Sequence, residues 1–190
     1  RLVTLLADWK EGDVLDSNPL FYEDMTDEAA EMMDAINADL LSVGKTLTAK
    51  GVPVDVPHIF DWLACHVYGE APSSNLRRFF ATNDAYKGFR CPLVPGRDSN
   101  GREGYVPDFA NRYFTEDINL GLCGYKGLAD IASVETPTID RIISWAQGHM
   151  GREFVVDGKL QGKDVGITNA PQRFGIETID DLKELYQSGE

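Results

Sequence analysis

Only three cysteines and three histidines occur in 190 residues, and each scarcity excludes something. Cys65, Cys91 and Cys123 are odd in number, widely spaced and form no CxxC pair, so neither a disulfide framework nor a zinc site is indicated. A reducing, cytoplasmic setting is the simpler expectation, and no metal site is expected. His58, His66 and His149 stand outside any nucleophile or metal motif, and packing or surface roles are expected for all three. No apolar run approaches the roughly 20 residues of a membrane-spanning helix, and no charged start followed by a small-residue cleavage site marks a signal peptide. A soluble, non-membrane domain is expected. Basic residues are also scarce: 18 against 31 acidic ones, a net charge of -13. That balance repels phosphate backbones and makes nucleic acid an unsuitable partner. It tolerates a cationic substrate, and it also serves as a plain solubility device.

What is present is a 43% hydrophobic chain long enough to bury one sizeable core, and the length favours a single domain over residues 1–190. The opening RLVTLLADW already has helical spacing at Leu2, Leu5, Leu6 and Trp9, as if entered in mid-element, which points to a fragment of a longer protein. Thr26 is a good N-cap for a helix with Met32, Met33, Ile36, Leu40, Val43 and Leu47 on one face, ending near Gly51. Pro53 and Pro57 lead into a second helix carrying Ile59, Trp62, Leu63 and Val67. Ser73 or Ser74 is the expected cap of a third, which runs through Phe80.

From Lys87 to Pro107 the pattern breaks, and Pro92, Pro95, Gly96, Gly101, Gly104 and Pro107 punctuate a polar stretch that reads as one long loop. Helix is expected again from Phe109 to Ile131. Thr136 and Pro137 then read as N-cap and first residue of a helix with Ile139, Ile142, Ile143 and Ala146 inward, ending at Gly151. Asp157-Gly158 is the strongest hairpin signal and predicts a small ribbon over 153–161. Thr178 caps a last helix with Ile179, Leu182, Leu185 and Tyr186. No internal repeat occurs, and the class is mainly α, a helical bundle.

One polar constellation stands out. Asn111-Arg112-Tyr113-Phe114-Thr115-Glu116-Asp117-Ile118 places an arginine and two carboxylates at the exit of the long loop, where a site can be built. The plainer alternative is an Arg112–Glu116 surface pair at i,i+4, worth a few tenths of a kcal/mol. Behind it, Gly121, Gly124 and Gly127 do not form a GxGxxG fingerprint. Each costs a helix about 1 kcal/mol, and close helix approach or a kink is the favoured reason. Trp62 falls on the apolar stripe of its helix, where core packing is the default.

Several stretches together resemble the octopine branch of the opine dehydrogenases: PLFYEDM, IFDW, NDAYKGF, PDFANRYFTEDINLGL, TPTIDRIISWAQGHMGREFVVDGKLQGKDV and NAPQRFGIETI. They run in one order over nearly the whole chain. The resemblance implies the C-terminal, substrate-binding helical domain of such an enzyme, similar in fold to the 6-phosphogluconate dehydrogenase C-terminal domain. The partner implied is its own N-terminal Rossmann domain, missing from this chain. Members of the family condense an amino acid, here arginine or a small one, with a 2-oxo acid such as pyruvate. The implied cofactor is NAD(H), with NADP(H) as the alternative.

By the same resemblance, Asp117 is the catalytic carboxylate that orients and charges the catalytic histidine. Arg112 is the cofactor-binding arginine that meets the pyrophosphate, a contact suited to a planar guanidinium. Trp62 is the substrate-binding aromatic at the amino-acid entrance, a role weighed against the core reading. The histidine belongs to a His-Pro motif expected just before Arg1, so the fragment alone is expected to be inactive, with Asp117 pairing with Arg112 or Lys126. The rival from another class is a non-catalytic binding or assembly module of the same fold. A related hydroxyacid or polyol dehydrogenase is the third reading, and the octopine-type tail weighs against it.

Overall fold

The computed structural model describes residues 9–65 and 75–188. In chain order these form α1 (Asp27–Ala49), α2 (Ile59–Ala64), α3 (Leu76–Thr82), β1 (Leu93–Arg97), β2 (Glu103–Pro107), α4 (Arg112–Thr115), a π-helix (Asp117–Leu122), α5 (Cys123–Ala132), α6 (Pro137–Met150), β3 (Val155–Val156), β4 (Lys159–Leu160) and α7 (Ile179–Ser188). The domain is mainly helical, as the periodicity predicts. The helical spacings at Leu2, Leu5 and Leu6, and the readings at His66, Val67, Ser73 and Ser74, lie outside the described residues. Backbone contacts divide the chain into two compact units, residues 1–34 with 58–113, and residues 35–57 with 114–190.

In the first unit the core is aromatic. Phe21 and Phe79 are almost fully buried, and Tyr22 stacks on Tyr86 at 4.5 Å and on Phe80 at 5.6 Å between ring centroids. The cap of α3 is Asn75, not Ser73 or Ser74 as expected, and its Oδ1 accepts from the Arg78 N–H at 2.9 Å.

The stretch expected as a loop over Lys87–Pro107 contains an antiparallel hairpin instead, with Pro95 opposite Tyr105 and Gly96 opposite Gly104. Its glycines hid it, and packing explains them. A Cβ on Gly104 would come within 2.7 Å of the Leu15 carbonyl, and one on Gly96 within 2.7 Å of Val106. Leu15 and Tyr105 exchange backbone hydrogen bonds of 2.9 Å, which adds the segment at Leu15 to the ribbon. The turn closes on Asp98, whose Oδ1 accepts from the N–H groups of Asn100 and Arg102, both at 2.9 Å.

The second unit is aliphatic. Ile139, Ile142, Ile143 and Ala146 of α6 are fully buried, as their spacing predicts. Val43 and Leu47 of α1 cluster with Ala129, Ile131 and Ala132 of α5 and Leu182 of α7. Fully burying one such large aliphatic side chain is worth about 1.5–3 kcal/mol.

The helix ends follow the sequence closely. Thr26 Oγ1 accepts from the Ala29 N–H at 3.2 Å, and Gly51 ends α1 at φ 85°. Thr178 and Asp181 form a reciprocal box at the start of α7, the Thr178 hydroxyl accepting from the Asp181 N–H at 3.1 Å and Asp181 from the Thr178 N–H at 2.8 Å. Asp157 and Gly158 both have positive φ, 50° and 73°, and turn the ribbon of β3 and β4. One cap is reassigned. Thr136 precedes α6, but its hydroxyl bonds to Asp140 at 3.0 Å, and the first N–H groups of α6 are taken by Asp39. The Asp39 carboxylate, 8% exposed, accepts from Thr138 at 2.9 Å and Ile139 at 3.1 Å.

Candidate functional site

The segment carrying Arg112 and Asp117 begins with side-chain caps. Asn111 Oδ1 accepts from the Tyr113 N–H at 3.1 Å and starts α4. In the first unit Arg112 is exposed, with its guanidinium carbon 5.8 Å from the Tyr113 ring centre. Tyr113 is held against buried Phe21 at 5.9 Å, so the guanidinium of Arg112 lies beside a fixed aromatic ring.

In the second unit Phe114 and Ile118 are fully buried, and Phe114 packs on Trp145 at 6.1 Å. Asp117 lies between these two anchors in sequence and is partly buried. The helix expected from Phe109 to Ile131 is not continuous. Gly121 donates to the Glu116 carbonyl at 3.1 Å and Cys123 to the Ile118 carbonyl, both i to i+5 bonds, so the chain widens into a π-helix beginning at Asp117. Periodicity missed it. The signal was the five-residue step between the apolar positions Ile118 and Cys123, where an α-helix steps by three or four. Cys123 at that point is buried, and burial pushes its thiol up to about 12.

Of the three glycines behind Asp117, Gly127 answers to close approach: a Cβ there would meet Gln172 Oε1 at 2.5 Å and Pro171 at 2.7 Å. Gly124 has only ordinary contact with Asn169 at 3.5 Å, and Gly121 sits inside the π-helix. The pairing expected between Asp117 and Lys126 is replaced by another. Lys126, its side chain 3% exposed, holds Asp130 at 3.1 Å and Asp140 at 2.9 Å, and so ties α5 to α6.

Trp62 is 49% exposed while its neighbour Leu63 is buried, so the core reading of Trp62 is corrected. Adjacent positions on a helix point about 100° apart, and α2 turns Leu63 rather than Trp62 inward. His58 caps it, Nδ1 accepting from the Phe60 N–H at 3.3 Å, and His149 packs on Trp145 at 5.3 Å, so both described histidines have structural roles. Arg112 and Trp62 fall in the first unit and Asp117 in the second, with Arg112 and Asp117 on one continuous segment. Among the described residues no group of three or more His, Cys, Asp or Glu could hold a metal, and no helix is long and apolar enough to cross a membrane.

An exposed arginine before a π-turn and a partly buried aspartate at its first residue, within PDFANRYFTEDINLGL, coincide with a described family. Residues 3–150 match the NAD/NADP octopine/nopaline dehydrogenase, alpha-helical domain. The chain belongs to that family. An opine dehydrogenase of Haliotis discus hannai is 38% identical over 94% of this chain, and a tauropine dehydrogenase of Arabella iricolor is 35% identical over 92%. The octopine dehydrogenase of Pecten maximus is 36% identical over 90%. A solved octopine dehydrogenase with NADH and pyruvate superposes with a TM-score of 0.79 at 35% identity over 96% of the chain, and one with NADH and agmatine with 0.81 at 34% over 94%. The chain spans less than half the length of these relatives, 42–44% of the three enzymes and 43–44% of the solved chains.

Proposed function

We propose that this opine dehydrogenase domain is the amino-acid-holding half of an NAD(P)H-dependent enzyme that reductively condenses an amino acid with pyruvate or another 2-oxo acid. Residues 1–190 form its helical part, and a nucleotide-binding Rossmann domain lies outside this sequence. The observation that carries the reading is the TM-score of 0.79, over 94% of this chain, to an octopine dehydrogenase solved with NADH and L-arginine.

Asp117 accepts a hydrogen bond from the catalytic histidine, fixes its tautomer and favours its charged form, which then donates a proton to the substrate oxygen. Arg112 meets the nucleotide pyrophosphate. Its exposure and the Tyr113 ring 5.8 Å from the guanidinium carbon fit that task, because a planar guanidinium suits bidentate phosphate contact. When bound, the reduced nicotinamide supplies the two electrons of the reduction. Trp62 lines the amino-acid entrance, and its exposure supports a role at a surface. NADH is the preferred cofactor, supported by its presence in the solved relatives, and arginine is the first amino acid to try, given the -13 net charge. Three cysteines with no disulfide among them fit a cytoplasmic setting.

The test is pyruvate-dependent NADH oxidation by the full-length protein across arginine, alanine, glycine and taurine. Turnover with at least one amino acid is expected, and none from the 190-residue chain alone. Absence of turnover with every amino acid contradicts the proposal.

A further inference from the structure

We infer that the tail segment Thr168–Phe174 is a splint that fixes the π-turn and thereby positions Asp117, an inference that rests on the catalytic role proposed above. It begins from the spacing of buried residues. Phe114 and Ile118 are four apart, Ile118 and Cys123 five, Cys123 and Gly127 four, and all are buried. In a continuous α-helix a five-residue step turns the second side chain about 140° off the first, so the two could not share one buried face. The π-turn absorbs the extra residue and keeps both anchors inward.

The extra residue has an outside partner. An uninterrupted α-helix would bond the Cys123 N–H to the Asn119 carbonyl, but here Cys123 reaches Ile118, and the Asn119 carbonyl accepts from the Asn169 N–H at 3.1 Å. The same tail segment then follows α5. Gln172 Nε2 donates to the Gly127 carbonyl at 2.9 Å, with Pro171 and Ala170 so close that only a glycine fits. The arrangement carries a cost: Asn119 Oδ1 and Gln172 Oε1 are buried without a hydrogen-bond partner among the described residues. Sequences tolerate such losses where function sets the geometry. A π-turn opening at the residue that must meet the catalytic histidine is a soft support, and the splint makes it rigid.

Leu120 is 46% exposed and lies inside the turn. Its deletion closes the π-turn to a continuous α-helix while Phe114, Ile118 and the following anchor keep one face, so the variant is expected to fold. In the full-length enzyme this deletion should lower kcat roughly a hundredfold, the cost of a misplacement near 1 Å. The NADH KM should be unchanged, because Arg112 lies upstream of the turn, and the pH profile of kcat should move toward that of Asp117→Asn. Asn169→Pro, which removes the donated N–H, should move both in the same direction, while Asn169→Ala, which retains it and removes the side-chain amide, should match the wild type. Wild-type kcat and pH profile in both the deletion and Asn169→Pro overturn the inference; so does a joint loss of kcat, NADH affinity and thermal stability. If the wild-type enzyme oxidises no NADH, the functional reading has failed by itself, and the splint is decided on the 190-residue chain. There the carboxyl ¹³C titration of Asp117 should shift in the deletion and in Asn169→Pro but not in Asn169→Ala, and unshifted curves reject it.

Discussion

Lys126 is the residue whose removal should cost the second unit most for its size. Its side chain is 3% exposed and its ammonium lies between Asp130 and Asp140, while Asp130 also accepts from the Leu160 N–H at 2.8 Å and Asp140 from the Thr136 hydroxyl. Lys126→Met keeps the volume and removes the charge. Breaking a buried ion pair from one side costs about 3–5 kcal/mol. The two carboxylates are 21% and 25% exposed and recover some hydration, so the lower end, about 3 kcal/mol, applies. For a chain of this size that is a fall in Tm of about 6–12 °C. Thermal and urea denaturation of Lys126→Met should be measured beside Lys183→Met, whose pair with Asp180 is exposed and worth at most about 1 kcal/mol. In an Asp130→Asn/Asp140→Asn background, Lys126→Met should cost less than about 1 kcal/mol, since no uncompensated charge is then left behind. Equal losses for Lys126→Met and Lys183→Met would refute the reasoning.

Gly127→Ala should destabilise by about 1–3 kcal/mol, because the new Cβ overpacks Pro171 and Gln172, whereas Gly124→Ala, with 3.5 Å of room, should be neutral or stabilising in the same melts. Asp181 has its pKa held below 3.8, first by the Glu177 N–H and then by Thr178. A lowered folded pKa means that its contribution is complete above 3.8 and is lost as pH falls through the folded value; amide exchange at Glu177 and Thr178 should quicken there, and Asp181→Asn should abolish that pH dependence. Cys123, pushed up to about 12 by burial, stays a protonated thiol at neutral pH, so iodoacetamide should modify exposed Cys65 alone in the native chain. Rapid alkylation of a Cys65→Ser variant would contradict that burial.

The helix punctuation was legible because it is local. Thr26, Thr178, Asp157-Gly158 and Pro137 act on residues two to four positions away, and the sequence displays both partners together. What was not legible depends on contacts distant in sequence. Asp39 caps a helix about 100 residues later, and nothing near it marks that task. The ribbon of β1 and β2 was hidden by Pro95, Gly96 and Gly104, two of which are glycines because neighbouring chain comes too close for a Cβ. Lys126 was expected as a partner of Asp117, and only packing shows it buried between Asp130 and Asp140. At the candidate site the residue types are legible from spacing, the roles of Arg112 and Asp117 only from family resemblance, and the π-turn breaks the steps of three and four that mark a helix.

The central claim is that Arg112 and Asp117 serve different parts of one reductive condensation. Steady-state kinetics of the full-length protein with Arg112→Ala and Asp117→Asn, using the amino acid that supports turnover, separate those parts. The account predicts a raised NADH KM with kcat largely retained for the arginine variant, and a kcat lowered by at least roughly a hundredfold with the NADH KM retained for the aspartate variant. Wild-type kinetics in both variants would contradict it.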